Sequence, residues 1–211
     1  MRSALKGVLV GLALLALFGA VATRAGWMVA SPPRPHGTGA WLLSRATGLV
    51  GYVALSANVI VGLLVSTRSA DSIVPRGQLV GLHGWLSPVS LALVVAHGGV
   101  LLADSYVRFD LIDLVVPFAS TRWPVAIGIG ILAGYLMLVV QLSFSLRKRI
   151  GTTMWRRLHY LSFVAFVLVT IHAIAAGTDR GSTWFASLYT ALLLMVASLA
   201  VIRIRRARGQ A

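Results

Sequence analysis

Five stretches of this chain, Ala46–Thr67, Gly77–Ala103, Trp123–Leu146, Leu158–Thr178 and Gly181–Ile202, contain no Asp, Glu, Lys or Arg. Each is long enough to cross a hydrocarbon core, which takes about 20 helical residues. A sixth run, Gly7–Thr23, is shorter. Strands do not suit such long, unalternating runs, and only helices or closed barrels satisfy their backbone hydrogen bonds inside lipid. With 58% apolar and 11% charged residues, the chain has too little polar surface for a soluble domain. The expectation is an all-α integral membrane protein, a six-transmembrane-helix bundle forming a single domain over residues 1–211. Its spans are expected near 7–28, 42–67, 78–103, 123–146, 156–178 and 182–203. The first run also suits a secretory signal, because Arg2 and Lys6 precede it and "GAVATRAG" offers small residues for cleavage. Apolar residues resume after Arg24, which favours a retained helix.

The formal charge of +14 is, on such a chain, first a topology signal, since Lys and Arg collect in cytoplasmic loops. "RKRIGTTMWRR" (147–157) and the tail "RIRRARGQA" hold basic residues and no acid, whereas the segment after the third run carries Asp104, Asp110 and Asp113. Six helices then put both termini and the basic loop 147–157 on the cytoplasmic side of the plasma (inner) membrane, and the acidic loop 104–122 outside. Arg24, Arg34 and Arg45 fall on the outer side and oppose this weakly. Because the basic residues are spread over separate loops of a lipid-embedded chain, no nucleic-acid partner is expected. The absence of cysteine excludes disulfides, thiolate metal sites and thioether-linked haem.

Two of the uncharged runs are framed by histidine. "HGWLSPVSLALVVAH" spans His83–His97 and "HYLSFVAFVLVTIH" spans His159–His172; the fifth histidine, His36, lies in a Pro/Gly loop and reads as an ordinary loop residue. An ionisable side chain within a span is costly and reads as functional by default, although a single His can also serve as an interhelical hydrogen-bonding group. At 1.5 Å per residue the members of each frame stand about 21 Å and about 19.5 Å apart, too far for one metal ion but suited to two sites near opposite faces. The third and fifth spans cross in the same direction, so His83 lies level with His159 and His97 with His172. Each level then offers two imidazoles that can ligate a haem iron from both sides. The phase fits one span better: fourteen residues return a side chain to within about 40° of its start, thirteen leave it about 140° away. Gly84, Gly98 and Gly99 would admit a planar ligand or a neighbouring helix. Pro88 would kink the third span. Arg45, Arg76, Arg108, Arg156 and Arg157 lie where they could pair with haem carboxylates or reach to the interface.

These frames, with "LLSRATGLVGYVAL" (42–55), "DLIDLVVPFAS" (110–120) and "WRRLHYLSFVAFVLVTIHAIAAGTD" (155–179), resemble the ferric reductase-like transmembrane domain family over roughly residues 41–200. The resemblance implies two non-covalent haem b groups stacked between the third and fifth helices and electron transfer across the membrane. His83 and His159 would hold the inner haem and His97 and His172 the outer one. Arg45 would lie by the outer carboxylates, and Arg156 and Arg157 are weaker matches at the inner end. Phe166 would occupy the gap between haems or serve as an ordinary lipid-facing or packing aromatic. Family members usually carry a cytoplasmic flavin and nicotinamide domain. Here nine residues follow Ile202, and "GIGILAG" (128–134) has the wrong spacing for a dinucleotide fingerprint and reads as a helix-packing face. The expected partners are therefore membrane lipid, a separate cytoplasmic reductase or quinol as donor, and an outer-side acceptor that is ferric iron, oxygen or a protein. The rival reading is a transporter using intramembrane histidines for metal or protons, against which stands the lack of carboxylates in the five spans.

Overall fold

The structure is a computed structural model that describes residues 39–105, 107–178 and 182–209. The described residues are helical, with no strand among them. The helices are α1 (Gly39–Thr67), α2 (Arg76–Leu101), α3 (Leu111–Val115), α4 (Pro124–Ser145), α5 (Arg147–His159), α6 (Leu161–Ala176) and α7 (Thr183–Gly209). Five helical stretches are long and apolar enough to span a membrane: α1, α2, α4, α5 with α6 as one stretch, and α7. The expected sixth span, with the signal-peptide question and His36, lies outside the described residues.

Local chemistry sets the helix limits. Arg68 adopts a left-handed conformation (φ 55°) directly after α1, a common way for a helix to end. Pro124 opens α4, where its missing N–H removes a donor that would be unpaired anyway. Inside lipid the hydroxyl groups turn to their own helices: Ser56 donates to the Tyr52 carbonyl (2.7 Å), Ser90 to that of Leu86 (2.7 Å) and Thr170 to that of Phe166 (2.8 Å). Pro88, where a kink is expected, lies inside α2, which continues on both sides of it.

The segment expected to be a basic loop, 147–157, is instead helical, broken by one residue. Gly151 takes φ 77° and ψ 162°, a conformation essentially reserved for glycine, and turns the chain inside α5. The basic residues read as a loop because their charge says nothing about backbone geometry.

The described residues fall into two compact units: those up to Val59 together with Gly81–Gly177, and those from Ile60 to Val80 together with residues from Thr178 onward. In the latter, Ile60 and Leu64 face Ala191, Leu194, Met195, Ser198 and Leu199 across an apolar cleft of about 540 Å³. The former contains all four framed histidines. There α4 packs along α6, Ser87 of α2 donates to Gln141 Oε1 of α4 (2.7 Å), and the hydroxyls of Thr170 on α6 and Tyr52 on α1 meet at 3.4 Å. Such polar ties hold helices together where the surroundings give apolar surfaces no preference for each other. The segment between α2 and α4 closes one end of this unit. Trp41, Val107 and Phe109 are buried together and Leu101, Leu114, Trp123 and Ile127 pack on them. Phe118, also left-handed (φ 65°), seats its ring against Gly128, where even a methyl group would collide with it. The acids here shape turns: Asp104 accepts from the Val107 amide (2.8 Å) and Asp113 from the Asp110 amide (3.0 Å).

Candidate functional site

Three helices, α2, α5 and α6, bring the histidines together in two pairs. The rings of His83 (α2) and His159 (α5) have centroids 5.9 Å apart and planes at 74°. Those of His97 (α2) and His172 (α6) stand 6.1 Å apart, also at 74°. All four residues are half-buried. The spacing of the frames puts the two pairs about 20 Å apart along the helices. His83 lies at the end nearest the basic α5, and His97 at the end closed by the segment bearing Asp104.

Three rings are oriented by main-chain oxygens of other helices. Nδ1 of His83 donates to the Asn58 carbonyl (3.1 Å), Nδ1 of His97 to that of Ser44 (2.8 Å) and Nδ1 of His172 to that of Ala126 (2.8 Å). A ring held at Nδ1 leaves Nε2 as the atom that could ligate, the arrangement usual for metal-bound imidazole. Ser44 adds a second tie, its hydroxyl donating to the His97 carbonyl (3.0 Å) and lying 3.1 Å from Nδ1.

Glycine makes room for two of these rings. A Cβ on Gly48 would stand 2.8 Å from His97 Nδ1, and one on Gly130 would stand 2.6 Å from His172 Nδ1. Gly130, expected to serve helix packing with Gly134, is thus the seat of a histidine, while Gly134 does meet a helix neighbour, Val94, at 3.7 Å. Around Gly84, Gly98 and Gly99, no described neighbour lies within 4 Å of where a Cβ would be, so they do not serve close helix packing among the described residues.

His159 is supported differently. Trp155, one turn earlier, lies 5.4 Å from it at 33°, and the Arg147 guanidinium stands 4.6 Å over the Trp155 ring. Phe144 meets the indole edge-on at 6.4 Å. The helix is interrupted immediately after His159. Tyr160 accepts a tight three-residue bond from Phe163 (3.1 Å), and 3₁₀ winding adds about 20° per residue, in the sense that reduces the phase mismatch of a 13-residue frame.

Between the pairs lies an aromatic stack. Phe166 is 3% exposed and Tyr52 2%, with ring centres 6.2 Å apart and planes at 15°. Phe166 is therefore an interior residue facing α1, seven positions after His159 and six before His172. Arg45 follows Ser44 on α1 and is half-buried; Arg156 and Arg157 are exposed on the last turn of α5. Sequence reasoning missed Ser44, Gly48, Asn58, Ala126 and Trp155, and gave Gly130 another role. Only Trp155 carried a signal, its position one helical turn before a framed histidine.

Residues 40–179, about two-thirds of the chain, match the model of a family described as Domain of unknown function (DUF8596). The chain belongs to that family. The matched stretch contains both histidine frames, the Tyr52–Phe166 stack and the glycines beneath His97 and His172. No curated protein and no solved structure matches the chain.

Proposed function

We propose that this membrane protein carries electrons across the bilayer with two haem b groups, one held by His83 and His159, the other by His97 and His172. One observation carries the reading: two imidazole pairs at two depths, each with ring centres close to 6 Å apart. Two imidazoles on opposite sides of one metal ion hold their centres about 6 Å apart, from metal–nitrogen bonds of about 2 Å and the radius of each ring. A bare transition-metal ion usually takes four ligands, three or more of them from protein. Among the described residues no group of three or more His, Cys, Asp or Glu comes together. A macrocycle that brings its own ligands would need only the two that each pair offers, which favours haem over a transported cation.

A haem iron ligated by two imidazoles supplies one-electron oxidation and reduction with no open position for a gas. The chain's own part is to hold and space the sites. Ser44, Asn58 and Ala126 fix ring orientation through their carbonyls, and Gly48 and Gly130 let two rings sit close to the backbone. Tyr52 and Phe166 fill the interval with packed aromatic matter and keep water from it. Arg45 at one level and Arg156 and Arg157 at the other are the cations available to haem carboxylates.

The basic α5 adjoins the His83–His159 level, so in this reading electrons arrive there from a cytoplasmic reductase or from quinol. They leave from the His97–His172 level to ferric iron, oxygen or a protein acceptor. Both termini are then cytoplasmic, in the plasma (inner) membrane. The test is a pyridine haemochrome assay on protein purified after expression with ample haem. About two haems per chain is the expected result, from two axial histidines per iron; a ratio near zero overturns the reading.

A further inference from the structure

The nitrogen of the Trp155 indole is buried and has no hydrogen-bond partner among the described atoms. Burying a donor without an acceptor is costly, and such a group in a folded protein calls for an explanation. Its surroundings narrow the choice. The ring is fixed on three sides, by His159 at 5.4 Å, by Phe144 at 6.4 Å and by the Arg147 guanidinium at 4.6 Å, so the N–H has little freedom to seek water by turning. Arg147 adds positive charge beside it, and Arg156 follows it in sequence. A fixed donor bordered by a guanidinium group suits an anionic oxygen acceptor.

We propose that Trp155 is a positioning residue whose indole N–H donates to a carboxylate of the group held by His83 and His159. The inference rests on the haem reading above and assigns to that site a neutral donor beside the arginines. Its stacking on His159 would couple the carboxylate end of the ligand to the imidazole that binds the metal.

Trp155→Phe retains an aromatic ring for His159 and Arg147 and deletes the N–H. Haem-depleted wild-type and variant chains, in detergent with lipid, are each titrated with haem and with its dimethyl ester, which has no ionised carboxylate. Occupancy of the His83–His159 site is read from the spectrum, with His97→Ala as background so that one site reports. Trp155→Phe should weaken haem binding roughly ten- to hundred-fold, the range for a hydrogen bond to a charged group, and should change ester binding little. The midpoint potential of the haem-loaded site should also fall, because a less compensated negative charge favours the oxidised iron. Equal weakening toward haem and ester would make Trp155 a packing residue only and overturn the proposal. So would no weakening toward either, which would leave the N–H to another acceptor such as a lipid phosphate. Failure of the wild-type background to take up haem at all would instead overturn the haem reading itself.

Discussion

The two histidine pairs have nearly the same ring geometry, 5.9 and 6.1 Å with equal angles of 74°, yet different materials hold them. His97 and His172 rest over glycines, each tied at 2.8 Å to a carbonyl of another helix, with the Ser44 hydroxyl as a further contact. In the other pair His83 has a longer carbonyl tie and His159 carries an aromatic and cationic stack. The first pair is thus seated chiefly on backbone that side-chain exchange barely alters, whereas the second combines a backbone tie at His83 with side-chain contacts at His159. The difference teaches that an imidazole can be aimed by subtraction, through a missing Cβ, as well as by an added contact.

The comparison breaks most sharply at Gly130. Gly130→Ala forces a methyl group to within 2.6 Å of His172 Nδ1 and should cost the His97–His172 site its haem. On the haem reading, content should drop from about two to about one, as it should for His97→Ala or His172→Ala, since each haem would be held by both histidines of its pair. His83→Ala and His159→Ala should remove the other site and leave this one reducible. Matching single-haem spectra from His83→Ala and His172→Ala would contradict the pairing.

A smaller effect is expected at Ser44. Ser44→Ala keeps the carbonyl that holds His97 but removes the hydroxyl, and loss of such outer contacts typically weakens a metal site about tenfold. Titration with haem should show the change at the His97–His172 site alone.

The smallest effect probes the basic end. Arg147 lies over Trp155, so Lys148 and Arg149 are the cleaner residues for testing charge without disturbing a ring. Lys148→Gln with Arg149→Gln should slow reduction by an acidic protein donor about threefold at low salt and leave the haem spectrum unchanged. The difference should fade toward physiological ionic strength, where screening acts over about 8 Å. Stopped-flow reduction in oriented vesicles, with donor on one side, measures it; fast reduction from the Asp104 side alone would reverse the proposed direction.

Much of this was legible before any coordinates. Runs without charge mark spans because lipid leaves little choice, and matched histidine spacings imply matched depths because a helix has a fixed rise. The contacts that aim the rings were not legible. A carbonyl acceptor can belong to any residue, so Asn58 and Ala126 leave no trace in composition. Gly130 was visible but ambiguous, since a glycine under an imidazole and a glycine under a helix are written with the same letter. The corner at Gly151 was hidden for the same reason, inside a segment whose charges suggested a loop.

That corner has a mechanical consequence. In a straight helix Arg147 and Trp155, eight residues apart, would be separated by about 12 Å along the axis. The turn at Gly151 folds the chain so that the guanidinium comes to rest over the indole at 4.6 Å, with Phe144 from the last turn of α4 against the same ring. The end of α4 and the His159 turn therefore form one bracket, joined at a residue whose backbone angles no other amino acid adopts cheaply. A push on the basic tip of that bracket, by a docking protein or by the membrane surface, has a short lever arm to the His159 imidazole.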